Sequence, residues 1–400
     1  MNKTIDYSVV HKQSSMSANM QELLQMVWDS PVFGNAYAAI TQDNLRVVLS
    51  QVEPMYLQFV YKFRAVLQEG LPYAQSDEID RLIREIAPKS VAFCSAIAAG
   101  EVIDPDRLSS AALCISLVYW ADQSMDRGDT AMLAAVRWLN QDYQGIEPAI
   151  PFEDLHHLVQ SRVKALQWME RSIRHLSRPE DAPFIIQWAI KEGVANEARL
   201  FEVSREYLLR GKTAFWQELT DDAAKASIED VGVILVSCII YAIYRQHNPE
   251  LPSLPEIFNN PEVIESLRGP CNAALRVFDD FGDIPIDDGQ HPVWGDFCLN
   301  FFNQTAPIWI ETFLKRAWIY DPETIQSVLR AVQSGTRNDQ VYVVGVFVEW
   351  VKSVLAALPG PLQSRYQVFI TLAKRVVEAG YVNVIGDIEL ADNHPYTVKA

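Results

Sequence analysis

The stretch that decides the fold is residues 112–129, ALCISLVYWADQSMDRGD. Its first ten residues are apolar except for Ser116, and its remainder carries Asp122, Asp126 and Asp129. Residues four apart on an α-helix lie on the same face, so Asp122 and Asp126 are expected to point in one direction. The stretch therefore predicts a buried helix that ends in a pair of neighbouring carboxylates.

Residues 271–289, CNAALRVFDDFGDIPIDDG, repeat this arrangement. Asp279 and Asp283 again stand four apart and directly follow an apolar helical pattern. Carboxylates at this spacing destabilise a helix by about 0.2–0.5 kcal/mol even when exposed, and by more when half buried. A single D-x-x-x-D is typical of a solvated helix end, but two such pairs, each after an apolar helix, indicate sites that hold a cation.

The residue types in the two acidic runs favour Mg²⁺. This ion binds to one or two carboxylates and completes its coordination with water and phosphate oxygens. Neither run, 122–129 nor 279–288, contains a His or a Cys, which disfavours zinc and the softer metals. The two runs hold eight of the 51 acidic residues, so the negative charge of the chain is concentrated where a metal site is expected.

Elsewhere the chain shows helical rather than alternating periodicity. The turns between the helical segments are short, and no linker or internal repeat separates domains. We expect one all-α domain over residues 1–400, with its core at about 40–380 and helices arranged around a central cavity. The apolar residues follow the helical period in segments 44–68, 107–126, 153–176, 222–246, 262–284, 293–317, 338–357 and 361–380.

Composition excludes several classes of function. With 34 basic and 51 acidic residues, the net charge of −17 repels a phosphate backbone, so nucleic acid is not an expected partner. The five cysteines stand singly in apolar stretches, which predicts core thiols in a reducing cytoplasm. The first 20 residues have no apolar signal-peptide core, and the longest apolar run, Val231–Tyr244, is shorter than the roughly 20 residues of a membrane span. We expect a cytoplasmic protein without a transmembrane segment.

These motifs resemble those of the isoprenoid synthases, and most closely the class IB (large) terpene synthases of the tetraprenyl-β-curcumene synthase type in the squalene and phytoene synthase-like superfamily. Asp122-Gln-Ser-Met-Asp126-Arg127 is similar to the first motif of that family. Residues 279–283, DDFGD, are similar to its D-Y-F-x-D motif, although Asp280 replaces the aromatic residue. The likeness extends from about Met55 to Phe302 and includes the segment 295–302, GDFCLNFF.

The resemblance implies an all-α isoprenoid-synthase barrel around a central cavity, with two Asp motifs on facing helices. It implies three Mg²⁺ ions bound with diphosphate, and Asp122, Asp126, Asp279 and Asp283 as their ligands. Arg127 is the basic residue expected to act with them in catalysis. An ordinary salt bridge is the alternative for each basic residue, and a place in the core is the alternative for each aromatic one. The residues expected to bind substrate are Lys89, Phe93, Tyr119, Arg245, Arg276 and Phe302.

The expected activity is that of a Mg²⁺-dependent terpene synthase. It would ionise a linear polyprenyl diphosphate, of twenty carbons or more and alternatively fifteen, and convert the carbocation to a terpene hydrocarbon. A head-to-head condensing synthase of the squalene or phytoene type is a second possibility, and a non-catalytic acidic helical scaffold for a basic partner is a third. A chain-elongating prenyltransferase is disfavoured, because both motifs read D-x-x-x-D rather than D-D-x-x-D. The family implies a monomer or a homodimer.

Overall fold

The computed structural model describes residues 58–97, 104–143, 145–190, 233–264 and 351–391, together with single helical positions at 267, 271, 323, 326, 327, 330, 331, 342 and 346. Helices joined by turns make up these ranges, and none of their residues lies in a β-strand. This confirms the prediction of an all-α chain for the described residues. The barrel around a central cavity stays a prediction.

Nine helices are bounded in the ranges that the structure describes. Their bounds are residues 58–70 for α1, Ser76–Ile97 for α2, Pro105–Asp126 for α3, Thr130–Tyr143 for α4, His157–Leu176 for α5, Ala182–Ile190 for α6, Val233–His247 for α7, Leu254–Phe258 for α8 and Gly360–Ala391 for α9. A 3₁₀ turn, Phe152–Asp154, precedes α5. Helix α9 is kinked at Tyr366, whose φ of −111° and ψ of 17° depart from helical values.

Helix α3 is the central helix of this group. Every side chain from Leu108 to Leu117 is buried, including three serines. A helix without a polar face requires neighbours on all sides, and α3 packs against α2, α4, α5 and α7. The first half-buried residues after this stretch are Val118 and Tyr119, one turn before the first Asp motif. The core thus leads directly to the predicted site.

The described part of the long apolar run is a buried helix, as predicted. Side chains from Ile234 to Ile243 in α7 are buried against the rest of the core. Among the helices that the structure describes, none is both long enough and apolar enough to cross a membrane. Four of the five cysteines are buried free thiols, and burial raises the pKa of Cys114 and of Cys271 to about 12. Cys298 lies outside the described residues.

The end of α1 lies very close to α3. A Cβ atom on Gly70 would lie 2.5 Å from Cη2 of Trp120 and 2.9 Å from Cβ of Ala165 in α5. Trp120 is a rigid ring that is 1% exposed, and the Cβ of Ala165 is fixed to its helix, so neither atom can move cheaply. Glycine is therefore required at residue 70 by the close approach of three helices.

We expect Gly70→Ala to lower the free energy of unfolding by about 1–3 kcal/mol, because the added methyl group overpacks this contact. Urea denaturation measures the change. Gly360→Ala is the matched control, since a Cβ there meets no atom within 4 Å. Equal stability of the two variants would show that the contact between α1 and α3 is loose.

Candidate functional site

The first Asp motif occupies the last two turns of α3. Asp126 is the final residue of the helix and Asp122 lies one turn earlier, half buried. The predicted helical spacing is confirmed, because both positions belong to the same helix. Tyr119, also half buried, stands three residues before Asp122 and seven before Asp126, so the three positions share one face of α3. The side chain of Asp126 lies outside what the structure describes.

A glycine-based cap ends this helix. Gly128 adopts the left-handed conformation, with a φ of 80°, and its N–H donates to the carbonyl oxygen of Met125 at 2.8 Å. The N–H of Asp129 donates to the carbonyl oxygen of Ser124 at 2.8 Å. These two bonds form a Schellman motif, which satisfies carbonyl groups that a helix end otherwise leaves open. The cap therefore fixes the turn that contains Asp126.

Asp129, the third acid of the sequence cluster, has both carboxylate oxygens engaged by the protein. Its Oδ1 accepts the N–H groups of Ala131 and Met132 at 3.0 Å each and so caps the start of α4. Its Oδ2 accepts hydrogen bonds from Nε and Nη2 of Arg162, at 3.0 and 2.8 Å. Asp129 thus has a structural role, and the pair Asp122 and Asp126 remains as the candidate metal ligands of this motif.

Arg162 connects three helices at this point. Its side chain is only 9% exposed, and besides Asp129 it donates a hydrogen bond through Nη1 to the carbonyl oxygen of Gly70. The guanidinium carbon lies 5.6 Å from the ring centroid of Trp120, within the range of a cation–π contact. The sequence interpretation missed this residue. The available signal was an arginine on the apolar face of α5, beside Val159, Val163 and Leu166, which are all buried.

The donor atoms described at this end of α3 suit Mg²⁺. The Oε1 atom of Gln123, next to Asp122, is buried and receives no hydrogen bond in the described part of the protein. Amide and carboxylate oxygens are both ligands that Mg²⁺ prefers. Within the described ranges, no three His, Cys, Asp or Glu side chains come together as a metal site. A complete metal site, formed by the first motif together with the second, stays a prediction.

Several other predicted residues are placed only in part. Lys89 and Phe93 belong to α2, which packs on α3, but their side chains are outside the described part. Arg127 is the C-cap residue of α3, exposed and directly after Asp126. The convergence of the two Asp motifs stays a prediction, since the second one is not described. The predicted site residues that lie outside the described residues are Arg276, Asp279, Asp283 and Phe302.

Arg245 forms the kind of salt bridge that is the alternative to a contact with substrate. Its Nη1 donates to Asp181 and, at 3.0 Å, to Glu180, while its Nε donates to the carbonyl oxygen of Leu251 at 3.1 Å. Asp181 also accepts the N–H of Leu254 at 2.9 Å. Burial acts to lower the pKa of Arg245, but the hydrogen bond from Arg245 to Asp181 and the charge of Asp181 raise it above its ordinary value. These contacts connect α7 to the residues that precede α6 and α8, and a contact of Arg245 with substrate stays a prediction.

A second polar cluster lies at the opposite end of α3. Lys62 donates to Oδ1 of Asp106 at 2.8 Å and to the hydroxyls of Ser109 and Ser110 at 3.0 and 3.3 Å. Nε2 of His175 lies 2.8 Å from Oδ2 of Asp106. The hydrogen bond from Lys62 lowers the pKa of Asp106, His175 acts in the same direction, and partial burial opposes both. Because its polar atoms are paired with one another, this cluster serves to join α1, α3 and α5.

Comparisons with known proteins add no assignment to this geometry. No protein-family model, no curated protein and no solved structure matches the chain. The functional conclusion therefore depends on the residues at the end of α3 and on the sequence motifs.

The Arg245 network predicts a large difference between two neighbouring acids. Asp181→Ala should lower the free energy of unfolding by about 3–5 kcal/mol, because it leaves a buried guanidinium without its main counter-charge. Glu180→Ala is the matched control and should cost about 0–1 kcal/mol, since that side chain is 44% exposed. Chemical denaturation measures both. A small loss for Asp181→Ala would show that the pair does not hold Arg245 in place.

The Lys62–Asp106 contact predicts a specific acid sensitivity. Since folding lowers the pKa of Asp106, its contribution to stability is present above the unfolded pKa of about 3.9 and is lost as pH falls through the lower folded value. Asp106→Asn should therefore lower stability at neutral pH and flatten the decrease in stability below about pH 4. Thermal unfolding over a pH series tests this. An unchanged acid slope in the variant would contradict the assignment.

Proposed function

We propose that this protein is a Mg²⁺-dependent terpene synthase of the class IB type. Its reaction is the ionisation of a linear polyprenyl diphosphate, of twenty carbons or more and alternatively fifteen, followed by conversion of the carbocation to a terpene hydrocarbon. The observation that carries the proposal is the half-buried Asp122 at the end of a central helix whose residues from Leu108 to Leu117 are all buried, one turn before Asp126.

The polarity along one face of α3 supports a prenyl diphosphate as substrate. Ile115, Tyr119, Asp122 and Asp126 follow one another at spacings of three or four, so they form a single stripe. Ile115 is 4% exposed, Tyr119 is half buried, and the two acids come last. An apolar-to-acidic stripe matches a ligand with a hydrocarbon chain at one end and a metal-bound diphosphate at the other.

The residues of the chain would divide the work as follows. Asp122 and Asp126 would bind and orient the metal, and Asp279 and Asp283 of the second motif would provide the remaining carboxylate ligands. Mg²⁺ bound there would neutralise the negative charge that develops on the diphosphate leaving group. Arg127, next to Asp126, would add a positive charge on the same side. The ring of Tyr119, one turn deeper, would face the developing carbocation.

The buried length of α3 supports the second half of the reaction. A carbocation must be kept from water until the product forms. The residues that precede the motif, from Leu108 to Leu117, are buried, and α2, α5 and α7 pack around them. The predicted cavity, if it lies among these helices, would be surrounded by apolar side chains next to the acidic helix end.

The direct test is incubation with single all-trans prenyl diphosphates of fifteen to thirty-five carbons. We expect a hydrocarbon product and release of pyrophosphate that both require Mg²⁺. Asp122→Asn should lower kcat/KM on the order of a hundredfold, because it removes a ligand of the group that stabilises the leaving charge. Asp142→Asn, an exposed acid at the end of α4, is the matched control and should leave the rate unchanged.

The other outcomes are informative in different ways. Products made only from two prenyl chains would replace cyclisation with head-to-head condensation. A protein that forms no product, and whose melting temperature does not respond to Mg²⁺ with inorganic pyrophosphate, would contradict the enzyme proposal and favour the acidic scaffold.

A further inference from the structure

We propose that Arg162 is a positioning residue for the Asp122 and Asp126 carboxylates, acting from α5 through Asp129. This inference rests on the proposed function, because it concerns how the candidate Mg²⁺ ligands are held. It adds a residue that lies outside both Asp motifs and that does not itself touch the diphosphate.

The first step is the link between Arg162 and the end of α3. Arg162 binds the carboxylate of Asp129 through Nε and Nη2, at 3.0 and 2.8 Å. The backbone N–H of the same Asp129 closes the last turn of α3 by donating to Ser124, at 2.8 Å. Because Ser124 lies between Asp122 and Asp126, the residue that Arg162 holds also closes the turn between the two candidate ligands.

The second step is a contact on the other side of the motif. The guanidinium of Arg162 lies over the ring of Trp120, at 5.6 Å from the centroid, and Trp120 immediately precedes Ala121 and Asp122 in α3. Arg162 therefore contacts α3 before the motif and the capping residue after it. A displacement of α3 along or around its axis would disturb both contacts.

The third step is that only arginine has the geometry for this set of partners. One edge of the planar guanidinium group donates to Asp129, Nη1 donates to the carbonyl oxygen of Gly70, and the flat face lies over Trp120. A lysine would retain the charge but has a single donor point and no planar face. Gly70 cannot be replaced without moving Trp120, so the anchor on α1 is itself rigid.

Arg162 also sets which acids are available to a metal. Asp129 stands three residues after Asp126 and would otherwise be a third carboxylate of the cluster. Its Oδ2 is engaged by Arg162 and its Oδ1 by two backbone N–H groups of α4. A metal at the helix end would therefore be bound by the D-x-x-x-D pair and not by Asp129.

The test uses the full-length protein and inorganic pyrophosphate as the probe. Pyrophosphate binding is measured by calorimetry at a series of Mg²⁺ concentrations, at one temperature below every melting transition. Residues that hydrogen-bond directly to metal ligands change metal affinity about 10–100-fold when they are removed, and Arg162 acts one step further out, through Asp129. We therefore expect Arg162→Met to require up to roughly tenfold more Mg²⁺ for half-maximal binding, and Arg162→Lys to fall between this variant and the wild type.

The matched control separates positioning from general stability. Ile173→Ala lies on the same helix, at a side chain that is 0% exposed, and destabilises the core without touching Asp129 or Trp120. It should lower the melting temperature but leave the Mg²⁺ requirement at the wild-type value. Asp129→Asn, which retains an oxygen for the α4 cap, should reproduce the effect of Arg162→Met, and the double variant should add little to either. If Arg162→Met does not fold, Asp129→Asn and Arg162→Lys decide the question.

Two failures can be told apart. If the wild type binds no pyrophosphate in the presence of Mg²⁺, the proposed function is wrong and this inference is overturned with it. If the wild type binds but the Arg162 and Asp129 variants have the same Mg²⁺ requirement as Ile173→Ala, only the positioning role is overturned.

Discussion

The rest of the structure depends on how the buried guanidinium of Arg162 is satisfied. A charge this deep in the protein is tolerated only when it is paired and hydrogen-bonded. Its partners come from the end of α1, from α3 and from the junction of α3 with α4, so satisfying one side chain requires four helices to meet in a single arrangement. Loss of any one partner leaves a buried charge incompletely paired, which is why this contact specifies the packing as well as stabilising it.

That arrangement connects the core to the candidate site. Helix α3 has no polar face over its buried length, so packing alone would permit small rotations and shifts. The Gly70–Trp120 contact and the Schellman cap remove this freedom at the end where the acids stand. A metal site needs ligands held within a fraction of an ångström, and sites on rigid helices meet this need better than sites on loops. The proposed chemistry and the observed packing are therefore consistent with each other.

The sequence predicted the features that depend on local spacing. Helical periodicity was sufficient for the all-α class and for a helix that ends at Asp126, because both follow from residues within a few turns. Partners that are distant in the sequence were not identified: Arg245 pairs with Asp181, 64 residues earlier in the chain, and Arg162 pairs with Asp129, 33 residues earlier. Asp129 was counted with the metal cluster, although the glycine before it and the helix after it indicate a cap.

Three acids of the described residues each pair with a cation from another helix. Asp106, Asp129 and Asp181 contact Lys62, Arg162 and Arg245, respectively. Each such pair joins two parts of the fold and involves one negative charge. Asp122 and Asp126 stand one turn apart on the same helix, and Asp279 and Asp283 have the same spacing in the sequence. A divalent ion offsets two carboxylates at once, whereas one lysine or arginine offsets one. The repeated spacing, rather than the pairing of any single acid, is therefore the reason to propose a metal site at the end of α3.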